Sequence, residues 1–242
     1  MFVTSHSDVG LQRSLNEDCA FANEISDNEA FAVVCDGMGG AYGGEVASKM
    51  ACDRISQKIS LCYKASMPLS SVANMLLSAI TTANVEIFDY AAQNPEYKGM
   101  GTTVVCAFVK DNEVCIGHVG DSRAYLVSKT GIRQITKDHS LVQEMYDKGQ
   151  ISIEELKTHP VKNVITRALG VDEEVDIDFN YDYLSDGEAI LLCSDGLTNF
   201  VDTDEIYEAF NSLSREELAR VLIDKANQNG GGDNITVSLI YK

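Results

Sequence analysis

The chain has 242 residues, of which 37 are Asp or Glu and 19 are Lys or Arg, for a formal charge of −18. Binding a phosphate backbone relies on clustered Lys and Arg, so this balance argues against nucleic acid or an anionic membrane surface as a partner. Hydrophobic residues make up 45% of the chain, enough for one sizeable core, and the length suits one large domain over residues 1–242.

In chain order, the pattern predicts short strands over residues 2–9, 19–25 and 30–35, separated by turns. Two long helices follow. Val46, Met50, Ala51, Ile55 and Ile59 share one face of the first, and Leu69, Val72, Leu76, Ile80, Ala83 and Ile87 one face of the second, with Pro68 at its first turn. Strands return over residues 102–109, 114–119, 124–127 and 132–135, joined by short polar turns that suggest an antiparallel meander. Residues 140–165 are polar and helix-prone, with a Ser152-to-Glu155 capping box, and read as a mobile insertion. Strands over 174–181 and 189–193 come next. A second capping box, Ser214 to Glu217, opens a helix bearing Leu218, Val221 and Leu222, and a strand over 235–240 closes the chain. Strand runs alternating with paired helices argue against a parallel Rossmann-type sheet and for an α+β sandwich.

No apolar run of transmembrane length stands out, and residues 1–6 lack the basic region and apolar stretch of a secretion signal, so a cytoplasmic protein is expected. The seven cysteines, mostly within apolar runs, fit a reducing compartment. The four histidines show no zinc-ligand spacing.

The chemistry-bearing residues are aspartates beside glycine or asparagine: Asp36 before Gly37, Asp121 after Gly120, Asp195 before Gly196, and Asp233 between Gly232 and Asn234. Each alone reads as a β-turn. Together, and with Asn16-Glu17-Asp18, they would repel one another unless cations neutralised them, and a set of oxygen donors favours Mg²⁺ or Mn²⁺ over Zn²⁺. Arg13, just before that triplet, suits a phosphoryl group or, equally, a salt bridge with Glu17.

The motifs Asp8-Val9-Gly10-x-x-Arg13-x-x-Asn16-Glu17-Asp18, Asp36-Gly37-Met38-Gly39-Gly40, Gly101-Thr102-Thr103, Gly120-Asp121-Ser122-Arg123, Asp138-His139-Ser140, Ser194-Asp195-Gly196 and Gly232-Asp233-Asn234 resemble those of the PP2C (PPM) family of metal-dependent serine/threonine phosphatases, in its small bacterial form. The resemblance implies a four-layer α-β-β-α sandwich of two antiparallel sheets flanked by helix pairs, with metals in a cleft at one end and residues 140–165 as a flap. It implies that Asp36 bridges two Mn²⁺ or Mg²⁺ ions, that the Gly37 carbonyl binds the first, and that Asp195 and Asp233 bind the second. Glu17 and Asp18 would hold metal-bound waters. Asp121 with Asp195 would hold a third, weaker ion, Arg13 would bind phosphate, and Thr103 and Asn234 would support the ligands.

The implied reaction is hydrolysis of phosphoserine or phosphothreonine by a metal-bridging hydroxide, reversing a Ser/Thr kinase, in an enzyme expected to be monomeric. The absence of Cys-x5-Arg fits a mechanism without a phosphocysteine. Met38 stands where eukaryotic relatives carry a histidine proposed as general acid, which leaves a metal-bound water or His139 for that role. Alternatives are a phosphatase for small phosphate esters, or a non-catalytic phosphoprotein-binding pseudophosphatase, which would lack a core ligand.

Overall fold

A computed structural model describes residues 1–39 and 43–242; Gly40 of the Asp36 motif lies outside the described residues. Strands β1 (Phe2–Asp8), β2 (Asp18–Ser26) and β3 (Glu29–Met38) lead into helices α1 (Gly43–Cys62) and α2 (Leu69–Gln93). After a 3-10 turn at Pro95–Tyr97 come β4 (Gly101–Thr102), β5 (Val104–Lys110), β6 (Glu113–Val119), β7 (Arg123–Ser128) and β8 (Gly131–Gln134). Two short helices, α3 (Leu141–Asp147) and α4 (Ile153–Thr158), precede β9 (Asp178–Tyr183) and β10 (Ala189–Cys193). The chain ends with α5 (Asp195–Thr198), α6 (Thr203–Ser212), α7 (Arg215–Gln228) and β11 (Ile235–Tyr241).

The strands form two sheets, β1-β11-β10-β7-β8 and β2-β3-β5-β6-β9, with β4 paired to the end of β3. All of these pairs are antiparallel. The central strands are apolar on both faces because both faces are covered. In β3, Phe31, Val33 and Cys35 pack against α1 and α2, whereas Ala30, Ala32 and Val34 face the other sheet. In β10, Leu191 and Cys193 pack under α6 and α7, and Ile190 and Leu192 turn to the space between the sheets. A period of two therefore generates three apolar interfaces, helix on sheet, sheet on sheet and sheet on helix, which is the α-β-β-α sandwich expected.

The stripe Val72, Leu76, Ile80, Ala83 and Ile87 of α2 is fully buried or nearly so. By length and composition α2 is apolar enough to cross a bilayer, which the sequence reading missed, but this stripe is spent on the core beneath α1 and the second sheet. Pro68 sits at the N-cap of α2, just before its first turn.

Three expectations need correction. The stretch from 102 to 135 is not one meander: β5–β6 and β7–β8 are hairpins in opposite sheets, and Gly120-Asp121-Ser122 carries the chain between them. The strand expected over 174–181 begins its pairing only at Asp178, opposite His118; Val175 and Ile177 cover the core without joining the ladder. The Ser152–Glu155 box forms as expected, with reciprocal bonds of 2.7 and 3.3 Å. At the start of α7, however, the Ser214 hydroxyl donates to Glu217 Oε2 at 2.8 Å and caps no backbone N–H.

Candidate active site

Strands of both sheets end at the same side of the sandwich. Asp36 lies near the end of β3, and Asp18, first residue of β2, is its cross-strand partner. Asp121 occupies the crossing between sheets, Asp195 follows β10 as the first residue of α5, and Asp233 directly precedes the turn into β11. The result is a cleft of about 290 Å³ lined by Arg13, Glu17, Asp36, Gly37, Thr103, Asp121, Asp195, Asp233 and Asn234, together with Met38, Gly39, Asn163 and Ile165. Of the metal-ligand, water-holding, phosphate-binding and supporting residues expected from the sequence, only Asp18 is not on its wall.

The backbone of Asp36 is clamped. Its N–H donates to Thr103 Oγ1 at 3.0 Å, and its carbonyl accepts from the Thr103 N–H at 2.8 Å and the Thr102 hydroxyl at 2.9 Å. Thr103 Oγ1 lies 2.7 Å from Ser122 Oγ, which ties the Asp36 turn to the Asp121 crossing. Gly120 in that crossing has φ +108°, and a Cβ there would sit 2.6 Å from Thr103 Cγ2, so glycine is required on both counts. A Cβ on Gly37 would collide with the carbonyl oxygens of Gly44 and Glu17. The Gly37 N–H instead donates to the Glu17 carbonyl at 3.1 Å.

Asn234 clasps the loop that carries Arg13 and Glu17. Its Nδ2 donates to the Val9 and Leu15 carbonyls, each at 2.9 Å, and its Oδ1 accepts the Glu17 N–H at 2.8 Å. Arg13 Nη2 donates to Asp233 Oδ2 at 2.9 Å, so its partner is Asp233 rather than the Glu17 that sequence proximity suggested. Asp18 lies just behind Asp36; its Oδ2 accepts from Ser194 Oγ at 2.7 Å, while its Oδ1 is sealed from solvent with no partner.

Crowding sets the electrostatics. Burial, reinforced by Asp18 and Asp195, raises the Asp36 carboxyl well above its ordinary range. Burial pushes Asp18 up to about 7 despite the Ser194 bond, and burial with the Asp195 charge pushes Asp121 up to about 8. Asp195 is raised by burial and by Asp233, and Glu17 by burial. Arg13 is the only cationic side chain on the cleft wall among the described residues. An orphaned buried carboxylate oxygen beside several mutually repelling carboxylates is what divalent cations would relieve. Oxygen donors, with no His or Cys on the wall among the described residues, suit Mg²⁺ or Mn²⁺.

A stability prediction follows. In the metal-free protein these raised carboxyls make the folded state bind more protons than the unfolded chain, whose aspartates titrate near 4, so stability falls as pH rises through the interval up to the folded values of about 7 and 8. Melting of the metal-free protein should therefore move to lower temperature from about pH 5 to about pH 8, and saturating Mn²⁺ should flatten the trend. A metal-free melting temperature that rises across this window would contradict the crowding.

His139 does not reach the cleft as a proton donor. Its Nδ1 accepts the Gly120 N–H at 3.0 Å, and its Nε2 lies 3.2 Å from Asp178 and 3.3 Å from Arg167. It is a structural residue that helps hold the Asp121 crossing. Sequence reasoning missed Ser194, Ser122 and Asn199, whose Nδ2 donates to Asp195 Oδ2 at 2.9 Å. The signal for Asn199 was its spacing of four from Asp195, one helical turn; the serines adjoin motif aspartates and read there as turn residues.

The protein phosphatase 2C family model matches residues 4–228. The serine/threonine phosphatase stp of Listeria monocytogenes is 41% identical over 246 aligned residues, covering 100% of this chain and 96% of the relative. The crystal structure of the serine/threonine phosphatase Stp1 from Staphylococcus aureus superposes with a TM-score of 0.92 at 38% identity, over 99% of this chain and 94% of that one. The catalytic domain of the serine threonine protein phosphatase PstP, solved in complex with 2 manganese ions, superposes with a TM-score of 0.86 at 33% identity, over 98% and 96% of the two chains. Sequence, fold and the convergence of aspartates where the two sheets end agree: the chain belongs to the protein phosphatase 2C family.

Proposed function

We propose that this protein is a metal-dependent phosphatase that hydrolyses phosphoserine and phosphothreonine in proteins, and that it reverses the action of a Ser/Thr kinase in the cytoplasm. The observation that carries the reading is the meeting of Asp36, Asp195, Asp233 and Arg13 in one cleft, with carboxylates whose ionisation burial and mutual repulsion oppose and divalent cations would favour. The family membership and the names of the full-length relatives support the substrate class. The whole chain serves as one catalytic domain, with residues 140–165 as an insertion beside the cleft.

In this reading Asp36 and the Gly37 carbonyl would hold one Mn²⁺ or Mg²⁺ ion, and Asp36, Asp195 and Asp233 a second. Asp121 with Asp195 would hold a third, weaker one. When bound, the ions acidify a water for in-line attack on phosphorus and offset charge on the phosphoryl oxygens. Arg13 orients the phosphoryl group: one side of its guanidinium is fixed by Asp233, which leaves the rest of the planar fork for phosphate oxygens. Glu17, on the cleft wall, would hold metal-bound water, whereas Asp18, seated behind Asp36 with Oδ2 bonded to Ser194, does not reach the cleft to share the water-holding role expected of it. Thr103, Ser122 and Asn234 keep the ligand-bearing turns in place through the bonds described above.

The test is hydrolysis of p-nitrophenyl phosphate and of phosphoserine, phosphothreonine and phosphotyrosine peptides with Mn²⁺. The proposal expects turnover of the ester and of the first two peptides; turnover of small esters alone would replace it with the small-ester reading. Arg13→Ala should mainly raise KM for phosphorylated substrates. A charge-assisted hydrogen bond is worth about 1.5–3 kcal/mol, and at this half-exposed position the lower end, about tenfold, is expected. Unchanged KM and unchanged inhibition by inorganic phosphate would make Arg13 a surface residue only.

A further inference from the structure

His139 grips the residue before Asp121 at two points. Its backbone N–H donates to the Gly120 carbonyl at 2.8 Å, and its Nδ1 accepts the Gly120 N–H at 3.0 Å. Glycine is the residue least able to hold its own backbone, and Gly120 at φ +108° presses on Thr103 on one side, so the orientation of the Gly120-Asp121 peptide depends on what bonds to it. The second bond sets a condition on the ring. An N–H meets Nδ1, so Nδ1 must carry a lone pair, and the single proton of the neutral imidazole must sit on Nε2.

Two side chains compete for Nε2. Asp178 Oδ2 lies 3.2 Å away and, as a carboxylate, accepts the Nε2 proton; Arg167 Nη1 lies 3.3 Å away and can only donate, which favours a bare Nε2 and moves the proton to Nδ1, against Gly120. Asp178 decides the contest twice over, because its Oδ1 also takes Arg167 Nη1 at 2.9 Å. The doubly protonated ring is disfavoured: burial lowers the His139 pKa, the Arg167 charge adds to this, and Asp178 and Asp138 oppose it. His118 packs on the ring at 4.6 Å between centroids, is itself fully buried, and is held neutral by burial, with its pKa pushed down to about 4.

We infer that His139 is a positioning residue for Asp121: in the Nε2–H form enforced by Asp178 it fixes the Gly120-Asp121 peptide so that Asp121, with Asp195, can hold a divalent ion. The inference rests on the reading that Asp121 contributes to a third, weaker ion site, and it extends control of that site to side chains off the cleft wall. Asp178 begins β9 and Arg167 follows the insertion, and their side chains are 49% and 38% exposed. The affinity of the weak site is thus set by a partly exposed ion pair, through one imidazole proton.

The experiment has two readouts on the full chain. The first is nitrogen NMR of the metal-free protein, which reports the protonation of each His139 ring nitrogen and the hydrogen exchange of the Gly120 amide. The wild type should show a proton on Nε2, a bare Nδ1 and a protected Gly120 amide. Asp178→Ala, at a half-exposed position, should move the proton toward Nδ1 and speed exchange at Gly120, and the further change Arg167→Ala should reverse much of both effects. The second readout is Mn²⁺ binding followed by the electron paramagnetic resonance of the free ion, with the weak site identified by its loss in Asp121→Asn. That site should weaken about fivefold in Asp178→Ala and in His139→Leu, the effect of one lost hydrogen bond, while the tighter sites stay within about twofold. His139→Asn, whose amide oxygen can take the place of Nδ1, should keep the weak site within about twofold of wild type. A proton on Nδ1 in the wild type, an unchanged weak site in Asp178→Ala, or equal losses in His139→Asn and His139→Leu would each overturn the positioning role. A weak site that survives Asp121→Asn would instead remove the reading of Asp121 as a ligand, and the inference with it.

Discussion

Asp36→Ala is expected to leave a folded protein without measurable turnover. Asp36 sits at the centre of the cluster, with Asp18, Asp195, Asp121 and Asp233 all acting on its carboxyl, and it is the proposed bridge between two ions. Losing the bridge forfeits several kcal/mol of transition-state stabilisation, on the order of a thousandfold or more in rate. The fold should survive, because the turn is clamped through the Asp36 backbone by Thr102 and Thr103 rather than through the side chain. Removing a buried carboxyl whose ionisation its neighbours oppose should even raise the melting temperature of the metal-free protein, while the gain on adding Mn²⁺ shrinks. Asp233→Ala should lose nearly as much activity, since it removes a proposed ligand and the partner of Arg13 together. Wild-type kcat in a folded Asp36→Ala protein would contradict the assignment.

Chelation should have an effect of the same size. With only oxygen donors proposed as ligands, EDTA is expected to abolish hydrolysis of p-nitrophenyl phosphate and phosphopeptides alike, and Mn²⁺ or Mg²⁺ in excess to restore both. Activity should reach the same plateau after removal and readdition, because the protein's own side chains hold the cleft together through Asn234 and Thr103. Full activity in a metal-free sample, or activity restored only by Zn²⁺, would remove the oxygen-ligand site from the account.

Much of this was legible in the residues because it depends on local pattern. An apolar run broken by Asp-Gly or Gly-Asp located the strand ends at Asp36, Asp121 and Asp195, and a three-and-four stripe located α2. What the pattern did not carry was which sheet a strand joins. β6 and β7 alternate alike, and only Gly120, with its positive φ against Thr103, reveals that the chain crosses to the opposite sheet there. Residues 174–177 alternate like a strand because Val175 and Ile177 do face the core, yet pairing is a property of the neighbour and starts only opposite His118. Asp18 was read as one of several cleft carboxylates; its seat behind Asp36, bonded to Ser194 from the other sheet, depends on how the two sheets stack. The Lys162 bond to Asn199 joins segments far apart in sequence and was invisible for the same reason, whereas the Asn199 bond to Asp195 spans a single helical turn.

The most direct test is a crystal structure of the protein grown with Mn²⁺ and measured at the manganese absorption edge. The account predicts anomalous peaks inside the cleft, with Asp36 contacting two of them and Asp195 and Asp233 sharing one. An active enzyme whose manganese peaks lie elsewhere, or contact none of these three carboxylates, would contradict it.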